Sequence, residues 1–541
     1  MELDNFLTLS DDHQVQKQVR FTPMGTDNSL VCFTNCLLAL EDGSLVARDL
    51  WIDSELGVIL DAQHTFFARR IRPSRVIDLN GAILAPGLLD IQINGAFGFD
   101  FSIYNGNEGI PIDPIEETRA DRDYVDGLVR VADHIVETGV TGLVPTIVTQ
   151  QRDLYPKLLS LLAPRDTPCG AHLLGWHAEG PFLQPAKRGA HTQTLLLSAP
   201  DGVSSLEAVY GRAALEKHVR GVRIITAAPE IEGILDSVAP LVERGVVISI
   251  GHSIAPAPIA TAAVVHGARL ITHLFNAMPQ LHHRDPSIIG LLGSSREGKG
   301  DAVGVPPPNH ATYAPGKAGP LESASTMGGK SLLKKISTVN LTSQTRNEPK
   351  NDVAEALQEL VTPPQTPLGQ SPSVDPTTSP PMAVSRTIEP LERPFYGMIV
   401  DGIHSHPNSV KLAYTAHPEG CILVTDAMSM LDPHLPDGVH EWRDGKRLVK
   451  QGDKLFIEGT DTLAGSVVTM PKCIRNFMKF TSCTLGDAIR CATYNPAKCL
   501  GIEARKGTLR AGADADLVVM TTEGEVLDTW VSGKRVWPRS G

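Results

Sequence analysis

Eight short apolar runs, most of them separated by helical patterns, constrain this chain more than any other feature. They lie near residues 88–92, 142–147, 172–178, 222–227, 246–250, 269–273, 397–400 and 421–425. The intervening segments carry apolar residues at helical spacing, as in Val125, Leu128, Val129, Ala132, Ile135 and Val136. Runs this short and this apolar suit strands covered on both faces, which belong to parallel sheets joined through helices. Eight such units close the sheet on itself, so the expected fold class is α/β, a (β/α)8 TIM-like barrel.

The two ends of the chain are written differently. From Leu30 to Ala85 short β-type runs alternate with turns, and Asp516–Met520 and Val526–Val531 resume that style. Both termini are therefore expected to form one small β-sandwich domain from residues 29–86 and 503–541, after a flexible tail of residues 1–28. The barrel is assigned to residues 87–293 and 393–502. Between them, residues 294–392 are rich in Pro, Ser, Thr and Lys and poor in aromatics. Such a segment buries too little apolar area to offset its chain entropy, and a disordered low-complexity insertion is expected. Within it, Val353, Leu357, Leu360 and Val361 stand at helical spacing and suit a transient helix, with an unknown partner left open.

A formal net charge of -12 disfavours a general nucleic-acid or anionic-membrane surface, so an anionic substrate needs a local cation. The eight cysteines show no Cys-x-x-Cys spacing. Several, such as Cys421, Cys491 and Cys499, sit in apolar runs where a reduced thiol packs as a small hydrophobe. No apolar window suits a signal peptide or a membrane span, and a cytoplasmic location is expected.

The barrel expectation gathers residues that are distant in sequence, because catalytic groups collect where the strands end. Glu179 follows the third run, His252 the fifth, His273 the sixth, and Asp426 the eighth. Two imidazoles and a carboxylate leave one position open for water, the arrangement of a catalytic metal. Asp426 suits a general base that takes a proton from the water and returns it to a leaving nitrogen. His404, after the seventh run, suits a hydrogen-bond donor to the developing oxyanion. A lone histidine at a strand end is more often structural, and it is the coincidence across successive strand ends that reverses that reading. His282 and His283 fall in a polar loop and are expected to be exposed, and His177 receives no role.

The segments His177–Phe182, Gly251–Ser253, Thr272–Met278, Asp401–His404 and Val424–Met428 occur in that order, followed by Leu463–Ser466 and Asn495–Ala497. Together they resemble the N-acetylglucosamine-6-phosphate deacetylases of the amidohydrolase superfamily, from about Leu30 to the C-terminus apart from the insertion. The resemblance implies a metal-dependent hydrolase barrel with a small β-sandwich, a homodimer, and hydrolysis of N-acetylglucosamine 6-phosphate to glucosamine 6-phosphate and acetate. It implies Glu179, His252 and His273 as metal ligands and Asp426 as the acid/base. Ala190, Asn276, Ala277, Arg284, His404, Leu463, Ala464 and Gly465 are implied to line the sugar phosphate.

Many amidohydrolases hold a second metal with His-x-His at the end of the first strand, where this chain carries Gln92 and Asn94. Amides are poor ligands for a borderline-soft ion, so one divalent ion per chain is expected, zinc being the choice and other divalent ions left open. Two readings compete with this one. A related enzyme would act on another N-acetylhexosamine phosphate or on a cyclic amide; the cyclic amidases tend to need two metals. A catalytically silent sugar-phosphate-binding scaffold would show a broken ligand set or a lost Asp426, and neither is seen.

Overall fold

A computed structural model describes residues 25–104, 114–161, 170–216, 221–294, 393–441, 447–460 and 463–538. Eight parallel strands form its centre: β1 (Leu88–Ile93), β2 (Val140–Val148), β3 (Trp176–Glu179), β4 (Val222–Ala227), β5 (Val247–Ile250), β6 (Leu270–Ile271), β7 (Phe395–Ile399) and β8 (Cys421–Val424). Each pairs with its sequence neighbour in parallel. Just beyond the strands, the Asp426 N–H donates to the Gln92 carbonyl at 2.8 Å and the Asn94 N–H to the Ala427 carbonyl at 2.7 Å. These bonds stitch β8 to β1, and the sheet becomes a nearly closed barrel. Every one of the eight apolar runs is a strand. The third is broken: His172–Leu173 pairs with β2, Gly175 turns at φ 114, and β3 then resumes.

Alternation along the strands sorts the side chains into layers. Ile91, Val144, Ile224, Val247, Leu270, Phe395 and Ile422 pack with one another in the barrel interior. Their neighbours, such as Trp176, Ala178, Ile225, Ile248, Ile250 and Leu423, join the larger core that includes Leu128, Ile135, Val238 and Phe477 of the surrounding helices. That core includes the inner residues of α1 (Pro114–Ile135), whose apolar spacing was legible in the sequence. Beneath the barrel, Arg223 donates to the Leu500 carbonyl, and Arg269 to those of Lys498 and Cys499. Two cations thus satisfy the C-terminal carbonyls of the helix Tyr494–Leu500, where the helix dipole favours positive charge.

Above the apolar layer lies a polar one. Burial pushes the His177 imidazole down to about 4, so the ring is neutral. Its Nδ1–H donates to the Ile91 carbonyl at 3.2 Å, and its Nε2 accepts from the Thr226 hydroxyl at 2.7 Å. Thr226, Thr272 and Ser249 continue the chain at 2.6 and 2.5 Å. His177 therefore ties β1, β3 and β4 together under the strand ends.

The chain ends form two further sheets. One orders Val58–Leu60, Leu50–Asp53, Gly25–Thr34 and Ile71–Asp78; the other orders Lys534–Trp537, Val526–Val531, Leu517–Met520, Ile83–Pro86, Leu37–Ala39 and Leu45–Ala47. Val31, Phe33, Ile52, Ile59, Leu84, Val519 and Trp530 fill the space between them, with Phe33 edge-on to Trp530 at 5.1 Å. This is the expected sandwich from both termini. Its first strand starts at Gly25, inside the expected tail of residues 1–28, because the parallel pairing with Ile71–Asp78 runs on through Gly25, Thr26 and Asp27. A three-stranded antiparallel sheet, Gly438–Glu441, Arg447–Gln451 and Lys454–Ile457, follows β8 and was not foreseen. The insertion expected at residues 294–392, including the helical pattern at 353–361, lies outside the described residues apart from Ser294.

Candidate active site

The ligand and acid/base residues lie at the C-terminal ends of the strands. Glu179 closes β3, His252 and His273 stand two residues beyond β5 and β6, and Asp426 stands two beyond β8. His252, His273 and Asp426 have φ of 48, 29 and 47. Non-glycine residues in this region cost about 1–3 kcal/mol each, a strain typical of functional turns. Each such turn rotates a polar side chain from the strand line into the barrel mouth.

Three electron-rich atoms meet there. Glu179 Oε1 lies 2.9 Å from His252 Nε2 and 3.1 Å from His273 Nε2, and the two nitrogens are 3.1 Å apart. All three residues are buried. The His252 Nδ1 lies 2.7 Å from the Lys187 carbonyl and must donate its proton to it. In the neutral ring, Nε2 then presents a lone pair toward a carboxylate oxygen. His273 Nδ1, also buried, has no hydrogen-bond partner among the described residues. A cation between the three atoms resolves this clustering of acceptors, and the set fits a divalent metal.

His191 also reaches this point, and sequence reasoning assigned it nothing although its neighbour Ala190 was named. One ligand-type atom of each of Glu179, His191 and His252 lies within 4.8 Å of the others. The Thr149 N–H donates to His191 Nδ1 at 3.2 Å, with the Thr149 hydroxyl at 2.8 Å. A nitrogen that accepts these bonds has its proton on the opposite one. In the neutral ring the proton is then on Nε2, and the ring stands edge-on to that of His252 at 4.7 Å. Ala190 itself is exposed in the preceding turn.

Gln92 and Asn94 have a positive use. Asn94 Nδ2 donates to Asp426 Oδ1 at 2.8 Å, and Gln92 Nε2 to the same oxygen at 3.4 Å. The amides at the end of β1 thereby hold the carboxylate. Burial and the charge of Glu179 raise the Asp426 carboxyl to about 6, against the pull of His273, Asn94 and His404. Such a group is poised to exchange a proton near neutrality.

Several of the residues implied to line the substrate adjoin the turns of this centre. Asn276 and Ala277 occupy the turn after His273, and the Ala277 carbonyl accepts the Ser253 N–H at 3.2 Å. Leu463, Ala464 and Gly465 are half-buried beside the Asp426 turn: Ser466 bridges Ala427, and the Ala464 N–H donates to Leu455 of the three-stranded sheet. Gly465 has φ 101, and a Cβ there would strike the Met428 side chain. His404 is half-buried, with its Nδ1 2.6 Å from Asp401 Oδ2. Arg284 is exposed in the loop after this turn, beside the exposed His282 and His283. Its neighbour Asp285 is occupied by the backbone N–H groups of Ala257 and Ser287.

A (β/α)8 barrel with a Glu, two His and an Asp at its strand ends, next to a sheet domain built from both termini, defines the class of amidohydrolases. The Amidohydrolase family is matched over residues 384–536. N-acetylglucosamine-6-phosphate deacetylase of Caenorhabditis elegans is 34% identical, with 94% of this chain and 95% of that protein covered. The Homo sapiens protein of the same name is 34% identical over 93% of this chain and 95% of its own length. The chain belongs to the N-acetylglucosamine-6-phosphate deacetylase family. A mutant of the Mycobacterium smegmatis deacetylase, solved in complex with N-acetyl-D-glucosamine-6-phosphate, has the same fold at TM-score 0.60, with 23% identity, covering 94% of this chain and 98% of that one.

Proposed function

We propose that this chain hydrolyses the acetamide of N-acetylglucosamine 6-phosphate, adding water across the C–N bond to release acetate and glucosamine 6-phosphate. The observation that carries the reading is the meeting of Glu179 Oε1, His252 Nε2 and His273 Nε2 within 3.1 Å, beside a held Asp426. A divalent ion held by these three, zinc in our reading, would supply Lewis acidity, acidifying water and polarising the amide carbonyl. Asp426 accepts the proton of the attacking water and delivers it to the departing nitrogen, while Asn94 and Gln92 keep its Oδ1 in place. His191, through Nε2–H, and His404 donate to the carbonyl oxygen as negative charge develops there. The loop Leu463–Gly465 and the turn Asn276–Ala277 enclose the sugar, and Arg284 reads its phosphate through a charged fork.

A homodimer and a cytoplasmic location complete the proposal. In its support, all seven described cysteines are free, six of them buried, and no helix among the described residues is long and apolar enough to cross a membrane. The test is acetate release from N-acetylglucosamine 6-phosphate by metal-replete full-length protein, with N-acetylgalactosamine 6-phosphate alongside. Folded, metal-loaded protein that releases no acetate from the first substrate refutes the reading, and preference for the second reassigns the sugar.

A further inference from the structure

We propose that Asp401 is a positioning residue that sets which nitrogen of His404 addresses the substrate, and so acts on the reaction only through that ring. The inference rests on the deacetylase reading of the site and goes beyond it, since Asp401 itself faces no reacting atom. It stands two residues beyond β7, its side chain is fully buried, and the His404 side chain keeps only 16% of its surface exposed.

Both carboxylate oxygens are committed. Oδ1 accepts the backbone N–H groups of Ile403 and His404, each at 2.8 Å, and Oδ2 accepts the His404 Nδ1–H at 2.6 Å. The turn that folds these donors back requires Gly402 at φ 77, where Phe480 packs against the glycine. The Asn476 amide, donating to the Val400 carbonyl at 2.9 Å, anchors the strand end. One buried carboxylate therefore fixes the backbone of the loop and the ring it carries.

A short bond to a charged acceptor has a chemical consequence for the imidazole. The Nδ1 proton is committed to Asp401, so Nε2 is the only ring atom left for the barrel mouth. A second proton at Nε2 is then stabilised by the carboxylate behind it, and a ring that carries it is a charged donor. Burial resists that charge, but the bond and the charge of Asp401, with Asp426 adding to them and His273 opposing, hold the ring above its ordinary value. The logic is that of a buried carboxylate behind a catalytic histidine: it orients the ring and selects the tautomer.

Asp401→Asn separates orientation from charge. The amide oxygen can still take the two backbone N–H groups, while its NH2 faces Nδ1, moves the ring proton to Nε2 and removes the support for the cation. The experiment is a cycle of Asp401→Asn, His404→Gln and the double variant in metal-replete full-length protein, read as kcat, KM and bound metal. We expect Asp401→Asn to lower kcat by about 10- to 100-fold at unchanged metal content, with KM changed less, and to cost less than about 2-fold once His404 is Gln. An equal loss in both backgrounds, a loss of metal, or a chain that fails to fold shows a structural role and overturns the proposal. Wild-type protein that releases no acetate defeats the deacetylase reading instead, so the two failures are distinct.

Discussion

Replacing Asn94 by Ala tests what the amide at the end of β1 is for. Its Nδ2 lies 2.8 Å from Asp426 Oδ1, and both groups sit in the barrel mouth. A hydrogen bond to a charged group contributes about 1.5–3 kcal/mol. At about 1.36 kcal/mol per pH unit, its loss raises the Asp426 carboxyl by roughly one to two units. The group starts at about 6, lifted by burial and Glu179. The base works ionised, so the loss appears as pH falls. The acid limb of kcat/KM should move from about 6 to about 7–8, costing roughly 2- to 10-fold at neutral pH and returning at about pH 9. Acetate release across that range, with bound metal measured in parallel, reads the effect. Gln92→Ala should shift the limb less, because its amide is 3.4 Å away. An unmoved acid limb, or a loss equal at every pH, would refute the reasoning.

The other perturbations separate binding, proton transfer, recognition and stability. His273→Ala should take bound metal well below one ion per chain and abolish turnover, whereas Asp426→Asn should keep the metal and lose roughly 10²–10⁴ in rate; full metal in the first or near-normal rate in the second contradicts the assignment. Arg284→Ala should raise KM for the phosphorylated sugar by about 10- to 100-fold and leave the weak reaction of free N-acetylglucosamine nearly unchanged, equal losses on both substrates being the contrary result. Asp516, buried against Lys506 and bonded to the Ser532 N–H at 2.8 Å, is held well below the usual carboxylate range by Lys506 and His172 against the cost of burial. Its stabilisation is therefore present above its unfolded value of about 3.9 and is lost as pH falls through the depressed one. Asp516→Asn should cost about 3–5 kcal/mol in denaturant unfolding near neutrality, and a change below about 1 kcal/mol would contradict the clamp. Finally, joining Ser294 to Glu392 through a short Gly-Ser bridge should preserve folding and most activity, since the composition of that segment suits a linker and loop-closure entropy grows slowly with length; an insoluble or inactive product shows that the segment belongs to the fold.

The barrel was legible in the sequence because its signal is local. Each strand is a short apolar run that ends in a residue too polar to bury without a partner, and the helices between carry their own period. The order of those polar ends, Glu179, His252, His273, His404 and Asp426, points to one centre once the runs are known to close. The termini advertised the sandwich in the same way, through alternating runs at both ends. What escaped depends on contacts between loops. A histidine in a turn has no period to mark it, and only the bond from the Thr149 N–H to His191 Nδ1 fixes which nitrogen of that ring accepts. Gln92 and Asn94 were read as failed ligands, and only the closure of β1 onto β8 reveals them as donors to Asp426. The break at Gly175, the start of the first strand at Gly25 and the three-stranded sheet after β8 were likewise settled by pairing partners far along the chain. Periodicity records which face of an element is buried. Which donor meets which acceptor is decided when the strands close and their ends are brought within about 3 Å of one another.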